Sequence, residues 1–184
     1  SNDIYGRHLL ADGTFDPAWG VNGKPLVALP FGQSSPVLEH DGGDGMLLVY
    51  LDGRHGGLDL YCAHLFPDGT SDPAWPDSGV KLCSGFGGQQ NAHVVGDGLG
   101  GAIIAWDDFR TNTPIDSETI IFHGLTYAQH VLADGRVDPR WPADGLRCTV
   151  SDSFQVGSRI ASDGAGGAYV TWGENRVDEN TSWL

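Results

Sequence analysis

Basic side chains are scarce in this sequence, and lysine is the scarcest of them. Lys24 and Lys81 are the only lysines, and 10 Lys and Arg stand against 24 Asp and Glu, which gives a formal net charge of −14. Nucleic acids and anionic membranes are bound through clusters of basic residues. The composition therefore argues against both as partners. It is compatible with secretion, and an extracellular location is expected.

Long apolar runs are also absent. No stretch reaches the 18 or more apolar residues of a membrane-spanning helix, so membrane insertion is not predicted. Glutamate is rare as well: of the 24 acidic residues, 20 are Asp and 4 are Glu. Asp bonds the backbone of turns, whereas Glu favours helices. Together with 28 Gly, this bias predicts a protein rich in turns and strands.

Cysteine is limited to three residues, Cys62, Cys83 and Cys148. If Leu65 lies opposite Val80 in a strand pair, Cys62 lies opposite Cys83 and a disulfide can form. The alternative is that all three are small buried apolar side chains. The sequence leaves both open.

An internal repeat is the strongest positive signal. The pattern D-G-x-x-D-P-x-W occurs at 12–19, 68–75 and 134–141, and a Gly-rich block occurs at 41–45, 97–101 and 163–167. Both patterns recur after 56 residues and again after 66 residues. Such a period is typical of solenoids, propellers and arrays. We therefore expect one segment, 1–184, with repeats at approximately 3–57, 58–120 and 121–184.

Each repeat offers four short strand candidates, here called A to D. Strand B is apolar on both faces, which predicts a sheet on either side of it and hence the four-stranded antiparallel blades of an all-β propeller. The strand order is CD-ABCD-ABCD-AB, about three blade equivalents in permuted register. The expected partners are a second copy of the chain or further propeller blades, because the outer blades are incomplete. The candidates are A at 36–40, 92–96 and 158–162; B at 46–51, 102–107 and 168–172; C at 4–10, 60–66 and 127–132; and D at 24–29, 80–84 and 146–150.

Two runs carry a family resemblance. The run from Asp3 to Gly13, followed by Trp19-Gly20 and Asn22-Gly23, and the run from Ser162 to Trp172 resemble bacterial extracellular β-propeller repeats of the S-D-G-A-G-G-A…W / D-I-Y-A-Q-R-L-x-A-D-G type. That family mostly lacks an assigned activity. The hairpin is also similar to the Asp-box of sialidases, but Asp and Trp are seven residues apart here (12 to 19), which is longer than in the Asp-box. A sialidase is therefore not favoured.

Some recurring polar groups are interpreted as architecture. An acid and an Arg follow each strand B two residues apart and can pair on one face. His8, His64 and His130 share one repeat position, and blades are too far apart for them to share a zinc ion. No metal site and no cofactor is predicted, although paired Asp in the D-G-x-x-D turns could hold calcium. The predicted structural pairs are Asp52/Arg54, Asp108/Arg110 and Glu174/Arg176.

Candidate binding residues lie in the connections that a propeller places on one face. The D–A loops supply aromatic and amide side chains suited to a sugar or peptide. The second repeat spacing is ten residues longer than the first, and the extra segment, 111–120 between strands B and C, supplies acids. The alternative is that the rings fill space between blades and the amides bond loop backbone. The candidates are Phe31, Gln33, Phe86, Gln89, Phe154, Gln155, Asp116 and Glu118.

The expected function is a non-catalytic binding or assembly module that contacts a glycan or protein through its B–C/D–A loop face. No catalytic signature such as GxSxG or HExxH occurs. The alternative is a propeller glycoside hydrolase or lyase acting on a polysaccharide, with Asp108, Asp116 or Glu118 as its carboxylates. That alternative requires two converging carboxyl groups.

Overall fold

The computed structural model describes residues 2–84, 87–111, 113–114, 120–121 and 124–175. These residues form antiparallel sheets, which confirms the all-β part of the predicted fold class. The described part contains no helix long and apolar enough to cross a bilayer. The strands are β1 Ile4–Gly6, β2 Lys24–Val27, β3 Gln33–His40, β4 Met46–Asp52, β5 Asp59–Leu65, β6 Val80–Lys81, β7 Gln89–Gly96, β8 Ala102–Asp108, β9 Thr113–Pro114, β10 Ile120–Ile121, β11 Leu125–Val131, β12 Leu146–Arg147, β13 Phe154–Ser162 and β14 Ala168–Asn175.

Four sheets follow one another along the chain. Sheet 1 is β1-β2, sheet 2 is β3-β4-β5-β6, sheet 3 is β7-β8-β11-β12, and sheet 4 is β13-β14. Strands β9 and β10 form a separate hairpin within the insertion. Each of the twelve predicted strands lies on one of the strands of sheets 1 to 4, in the predicted order. The described strands close no barrel or ring, so the propeller itself stays a prediction.

The sheets stack in chain order, and two apolar cores lie between them. Strands β3 and β4 contact β7, and β13 contacts β7, β8 and β11. One core joins sheets 1 and 2 through Ile4, Leu48 and Leu65, and the other joins sheets 2 and 3. All seven residues of β8 are buried, as expected for a strand covered on both faces.

The D-G-x-x-D-P-x-W blocks form the turns between strands C and D, and each Trp reaches the next sheet. Trp19 and Trp75 are buried. A Cβ on Gly69 would lie 2.9 Å from the Trp19 ring, and one on Gly135 would lie 2.8 Å from Trp75 Cα. The indole Nε1 of Trp75 also donates to the Ala133 carbonyl at 3.1 Å. Gly69 and Gly135 therefore make room for the Trp of the preceding sheet.

The three cysteines are free thiols. Cys62 lies opposite Val80, so the register that would place it opposite Cys83 does not occur. The reason is the turn, because Leu65 pairs with Ser71 as the chain doubles back. After the turn, Val80 lies opposite Cys62, which is three residues before Leu65 in the sequence. Cys62 and Cys83 are buried, and burial raises the pKa of the Cys62 thiol.

Candidate functional site

The histidines that share a repeat position each bind carboxylates with the ring. In sheet 2, the His64 ring lies between two Asp side chains, with Nδ1 2.7 Å from Asp72 Oδ2 and Nε2 2.9 Å from Asp41 Oδ2. In sheet 3, His130 makes the same bridge to Asp138 at 2.9 Å and to Asp97 at 3.0 Å. Because both ring nitrogens are engaged, neither ring offers a nitrogen to a substrate or a metal.

Local backbone geometry places these carboxylates. Asp41 begins the hairpin between β3 and β4, and its Oδ1 accepts the N–H groups of Gly43 at 2.7 Å and Gly45 at 3.0 Å. A Cβ on Gly45 would lie 2.6 Å from both Asp41 Oδ2 and His64 Nε2. Glycine at this position therefore brings the hairpin and the ring together. The Asp72 carboxylate also accepts the Ala74 N–H at 2.8 Å in the turn after β5.

These contacts lower the pKa of the carboxyl groups. Burial alone would raise the pKa of Asp41, Asp72 and Asp97, but the hydrogen bonds from His64, His130 and the hairpin and turn backbone outweigh it, so all three pKa values fall below the ordinary value. A carboxylate that accepts several hydrogen bonds favours its charged form. The bridges are consequently charged at neutral pH on the carboxylate side.

Acidification is expected to destabilise the fold through these groups. Their folded pKa values lie below the unfolded value of about 3.9. The stability they contribute is therefore complete above that value, and it is lost as the pH falls through the lowered folded values. We expect the thermal midpoint, measured by circular dichroism at constant ionic strength, to drop steeply below roughly pH 4. The double variant Asp41→Asn/Asp72→Asn should show a shallower drop. An equally steep drop in that variant would contradict this assignment.

One copy of the bridge is incomplete within the described residues. His8 Nδ1 lies 3.1 Å from Asp16 Oδ2, and the His8 side chain is 49% exposed. In sheets 2 and 3 the second carboxylate comes from the hairpin between strands A and B, and sheet 1 has only strands C and D. In sheet 4 the matching hairpin carboxylate is Asp163. It is exposed and accepts the N–H groups of Ala165 and Gly167.

The acid and Arg two residues apart lie together in both complete sheets. Arg54 donates to Asp52 at 2.7 Å, and Arg110 donates to Asp108 at 2.6 Å. Both carboxylates are fully buried, and Asp108 also accepts the indole N–H of Trp106. Asp108 is therefore not presented to solvent as a hydrolytic carboxylate would be.

The third acid of this series is Glu174. It accepts hydrogen bonds from the Ser151 hydroxyl and, at 3.4 Å, from the Trp172 indole. Arg176, its predicted partner, lies outside the described residues, as do Phe86, Asp116 and Glu118. The hydrolase alternative depends on the last two residues and stays untested.

The predicted loop amides bond the protein itself. Gln33 is 2% exposed, and its amide exchanges hydrogen bonds with the Leu29 backbone at 3.3 Å. Gln155 is fully buried and accepts the Thr126 N–H at 3.0 Å, while the buried Gln89 donates to the Gly87 carbonyl at 3.2 Å. The structure places these amides in the first residues of strands β3, β7 and β13, where they bond the protein backbone.

The predicted loop aromatics are placed differently from one another. Phe31 is 64% exposed and has a φ of 70°, a left-handed conformation that is rare for a side-chain-bearing residue. Phe154 is half-buried. Phe31 is thus the described candidate that a partner can reach, and binding through this face stays a prediction.

The paired Asp of the C–D turns cap their own backbone. Asp12 Oδ1 accepts the Thr14 N–H at 2.9 Å, and Asp16 Oδ1 accepts the Ala18 N–H at 2.9 Å. Such Asx turns agree with the architectural interpretation. The described residues contain no group of three or more His, Cys, Asp or Glu that could hold a metal ion. Calcium at these turns stays a prediction.

A buried carboxylate that breaks the repeat joins sheets 3 and 4. Asp107, in β8, is 1% exposed and accepts the N–H groups of Gly157 at 2.7 Å and Ser158 at 3.0 Å from β13. It also accepts the Asn91 side-chain amide at 2.8 Å. The residue 56 positions earlier is Leu51, and the residue 66 positions later is Gly173. The Asp107 contact is therefore unique to this interface among the three equivalent positions.

A cavity of about 560 Å³ opens at the preceding interface, between sheets 2 and 3. Its wall is apolar on the sheet 2 side, apart from Ser35, and polar along the irregular part of β7, where the pairing register shifts between Gln90 and His93. Burial and the nearby positive charge of Arg159 lower the pKa of His93, while Asp107 opposes the shift. The lining residues are Ser35, Pro36, Val37, Leu51, Leu60, Gln89, Gln90, Asn91, Ala92 and His93.

Comparison with known proteins gives no relative for this fold and site. No protein-family model, no curated protein and no solved structure matches the chain.

Proposed function

We propose that this chain is a β-propeller module that assembles with a second copy of itself, each copy completing the outer half-sheets of the other. Within the described residues, sheet 1 consists of strands of type C and D, and sheet 4 consists of strands of type A and B. Joined edge to edge, they make one more four-stranded sheet of the kind seen in sheets 2 and 3. Exposed edge strands are templates for such pairing.

The split His bridge carries this proposal. His8 has the carboxylate of its own C–D turn and not the one from an A–B hairpin, whereas Asp163 sits on such a hairpin with Oδ2 toward no described histidine. Placing sheet 4 of one copy against sheet 1 of another supplies each with its missing half. The product repeats the bridges of His64 and His130.

The strand register of the complete sheets predicts the contacts of the new edge. Met46 lies opposite Leu65 in sheet 2, and Ala102 lies opposite Val131 in sheet 3. The equivalent residues across the new edge are Ala168 and Leu9. Leu65 and Val131 are fully buried, whereas Leu9 is 60% exposed. Pairing would cover an apolar side chain that the isolated chain leaves in water.

An aromatic pair is split in the same way. Tyr50 stacks on Tyr61 in sheet 2 with ring centroids 5.9 Å apart, and Trp106 stacks on Tyr127 at 6.2 Å in sheet 3. The equivalent pair across the new edge is Trp172 and Tyr5. Tyr5 is 59% exposed, compared with 3% for Tyr61.

The contact between a Trp of a C–D turn and the glycine of another such turn is missing at the same edge. Trp19 and Trp75 lie against Gly69 and Gly135, but a Cβ on Gly13 would have no neighbour within 4 Å. Trp141 is the equivalent ring of sheet 3 and is half-buried. In the joined arrangement Trp141 of one copy would pack on Gly13 of the other.

The solution mass tests the proposal. Two copies joined at both edges give six four-stranded sheets and a mass of 2 × 19.6 kDa, or about 39 kDa. We expect His8→Gln and Asp163→Asn each to weaken this dimer by roughly tenfold or more, because each leaves a charge-assisted contact unmade. Analytical ultracentrifugation over a concentration series measures the effect. Asn at 163 retains an oxygen that can accept the hairpin N–H groups.

Two results would contradict the proposal. A 19.6 kDa particle at all concentrations would exclude the second copy as partner. A dimer that neither substitution weakens would show that a different surface joins the copies. His55→Gln, on the exposed turn between β4 and β5, is the matched histidine control and should leave the dimer unchanged.

A further inference from the structure

The interfaces on the two sides of sheet 3 can be compared position by position, and they differ at a buried carboxylate. Between sheets 3 and 4, Asp107 accepts the main-chain N–H groups of Gly157 and Ser158. Between sheets 2 and 3, the position equivalent to Asp107 is Leu51, which cannot accept a hydrogen bond. The residues equivalent to Gly157 and Ser158 are Asn91 and Ala92.

The cavity lies where the missing carboxylate would stand. Leu51, Asn91 and Ala92 all line it, and Asn91 and Ala92 lie in the shifted part of β7, outside the paired positions of the ladder. Asn91 also has a φ of 50°, matching the φ of 72° at Gly157, so the backbone of β7 takes the same unusual path as that of β13. One side of the interface has the backbone of a carboxylate site without the carboxylate.

We propose that this cavity binds a small monocarboxylate with an apolar tail. The ligand carboxylate lies beside the Leu51 side chain and accepts the N–H groups of Asn91 and Ala92, which are equivalent to the two N–H groups that Asp107 accepts at the next interface. Ser35, which lines the cavity and is the residue equivalent to Asn91, supplies its hydroxyl as a third donor. Leu51, Leu60 and Val37 form the wall for the apolar tail.

Size and charge define the ligand class. The volume of about 560 Å³ falls in the range of small-molecule sites. The net charge of −14 repels polyanions, but a single carboxylate can be held by backbone N–H donors, as in anion-binding nests.

Titration with sodium hexanoate, followed by amide NMR of the ¹⁵N-labelled full chain, tests the site. We expect saturable shifts centred on the Asn91 and Ala92 amides. Hexan-1-ol has the same tail without the charge and should bind at least roughly tenfold more weakly, the difference that one or two charge-assisted hydrogen bonds make. Absence of saturable shifts at these amides, or equal binding of the alcohol, would overturn the proposal.

Two substitutions locate the carboxylate. Leu51→Asp places a carboxylate on the protein itself and should weaken hexanoate binding by roughly tenfold or more. Leu58→Asp adds the same charge at an exposed leucine, 52% accessible, and should leave the affinity nearly unchanged.

Ser35→Gly provides a second measurement if Leu51→Asp does not fold. It removes the hydroxyl at a residue whose φ of 53° suits glycine, and it should weaken binding about fivefold, the loss of one hydrogen bond. Hexanoate affinity that is unchanged in Ser35→Gly and in a folded Leu51→Asp would overturn the site.

Discussion

Replacing His64 by Ala is expected to lower the free energy of unfolding by about 3 kcal/mol, because the change leaves two poorly hydrated carboxylates without their shared partner. The His64 ring touches Asp41 and Asp72 with both nitrogens, and its side chain is only 10% exposed. For a chain of this length, the loss corresponds to a thermal midpoint lower by roughly 10 °C. Urea unfolding and calorimetry measure both quantities.

His8 provides the matched control at the same repeat position. It has one carboxylate partner, and 49% of its side chain is exposed, so His8→Ala in the monomer should cost less than about 1 kcal/mol. The contrast between the two variants isolates the effect of the second carboxylate and of burial. Equal losses at the two positions would contradict the interpretation of the bridge as a stabilising unit.

Replacing Asp107 by Ala is the second change with a large expected effect. Its carboxylate accepts the N–H groups of Gly157 and Ser158 and the amide of Asn91, and no other described contact replaces these acceptors. We expect a loss of about 3 kcal/mol, with sheet 4 separating from sheet 3 before the rest unfolds. Hydrogen exchange should therefore accelerate in β13 and β14 more than in β4 and β5.

Asp107→Asn gives a graded comparison. The Asn side chain keeps one oxygen acceptor but presents an NH₂ group to a donor, so an intermediate loss is expected. Uniform acceleration of exchange across all four sheets in Asp107→Ala would contradict a local role at this interface.

The strands were predictable because they depend on local pattern. The apolar run of β4, the Gly-rich hairpins and the Asp-Pro turns repeat three times, and each predicted strand overlaps an observed one, although the strands predicted at 4–10, 80–84 and 146–150 are shorter than predicted. The pairing register was not predictable in the same way. The shift that puts Cys62 opposite Val80 arises in the turn, where Leu65 pairs with Ser71, and no periodicity within the strands encodes it.

Only one carboxylate of each His bridge lies at a constant spacing from the histidine in the sequence. His64 and Asp72 are 8 residues apart, as are His130 and Asp138, but the other carboxylates lie 23 and 33 residues away. The fold brings those hairpins and turns to the same end of a sheet, so only the pairing of strands reveals the bridge. The residue type alone raises only the question of whether these histidines bind a metal ion.

Asp107 was harder still to find. The break in the repeat that the spacing reveals is the ten-residue insertion, which contains Asp116 and Glu118. Leu51 and Asp107 occupy equivalent positions, and the difference between them changes no spacing between the repeated motifs. Its meaning appears only when β13 is seen to place two N–H groups against it.

The contact between each Trp and the glycine of the following turn has a consequence for the history of the chain. A duplicated unit carries both the ring and the site that receives a ring, so a new copy fits its neighbours without any further change. Units can then be gained or lost in whole numbers at little structural cost, whereas a change of length inside the turn would break two contacts at once. In this chain the difference of ten residues between the two repeat spacings lies between β8 and β11 and leaves the turns unchanged.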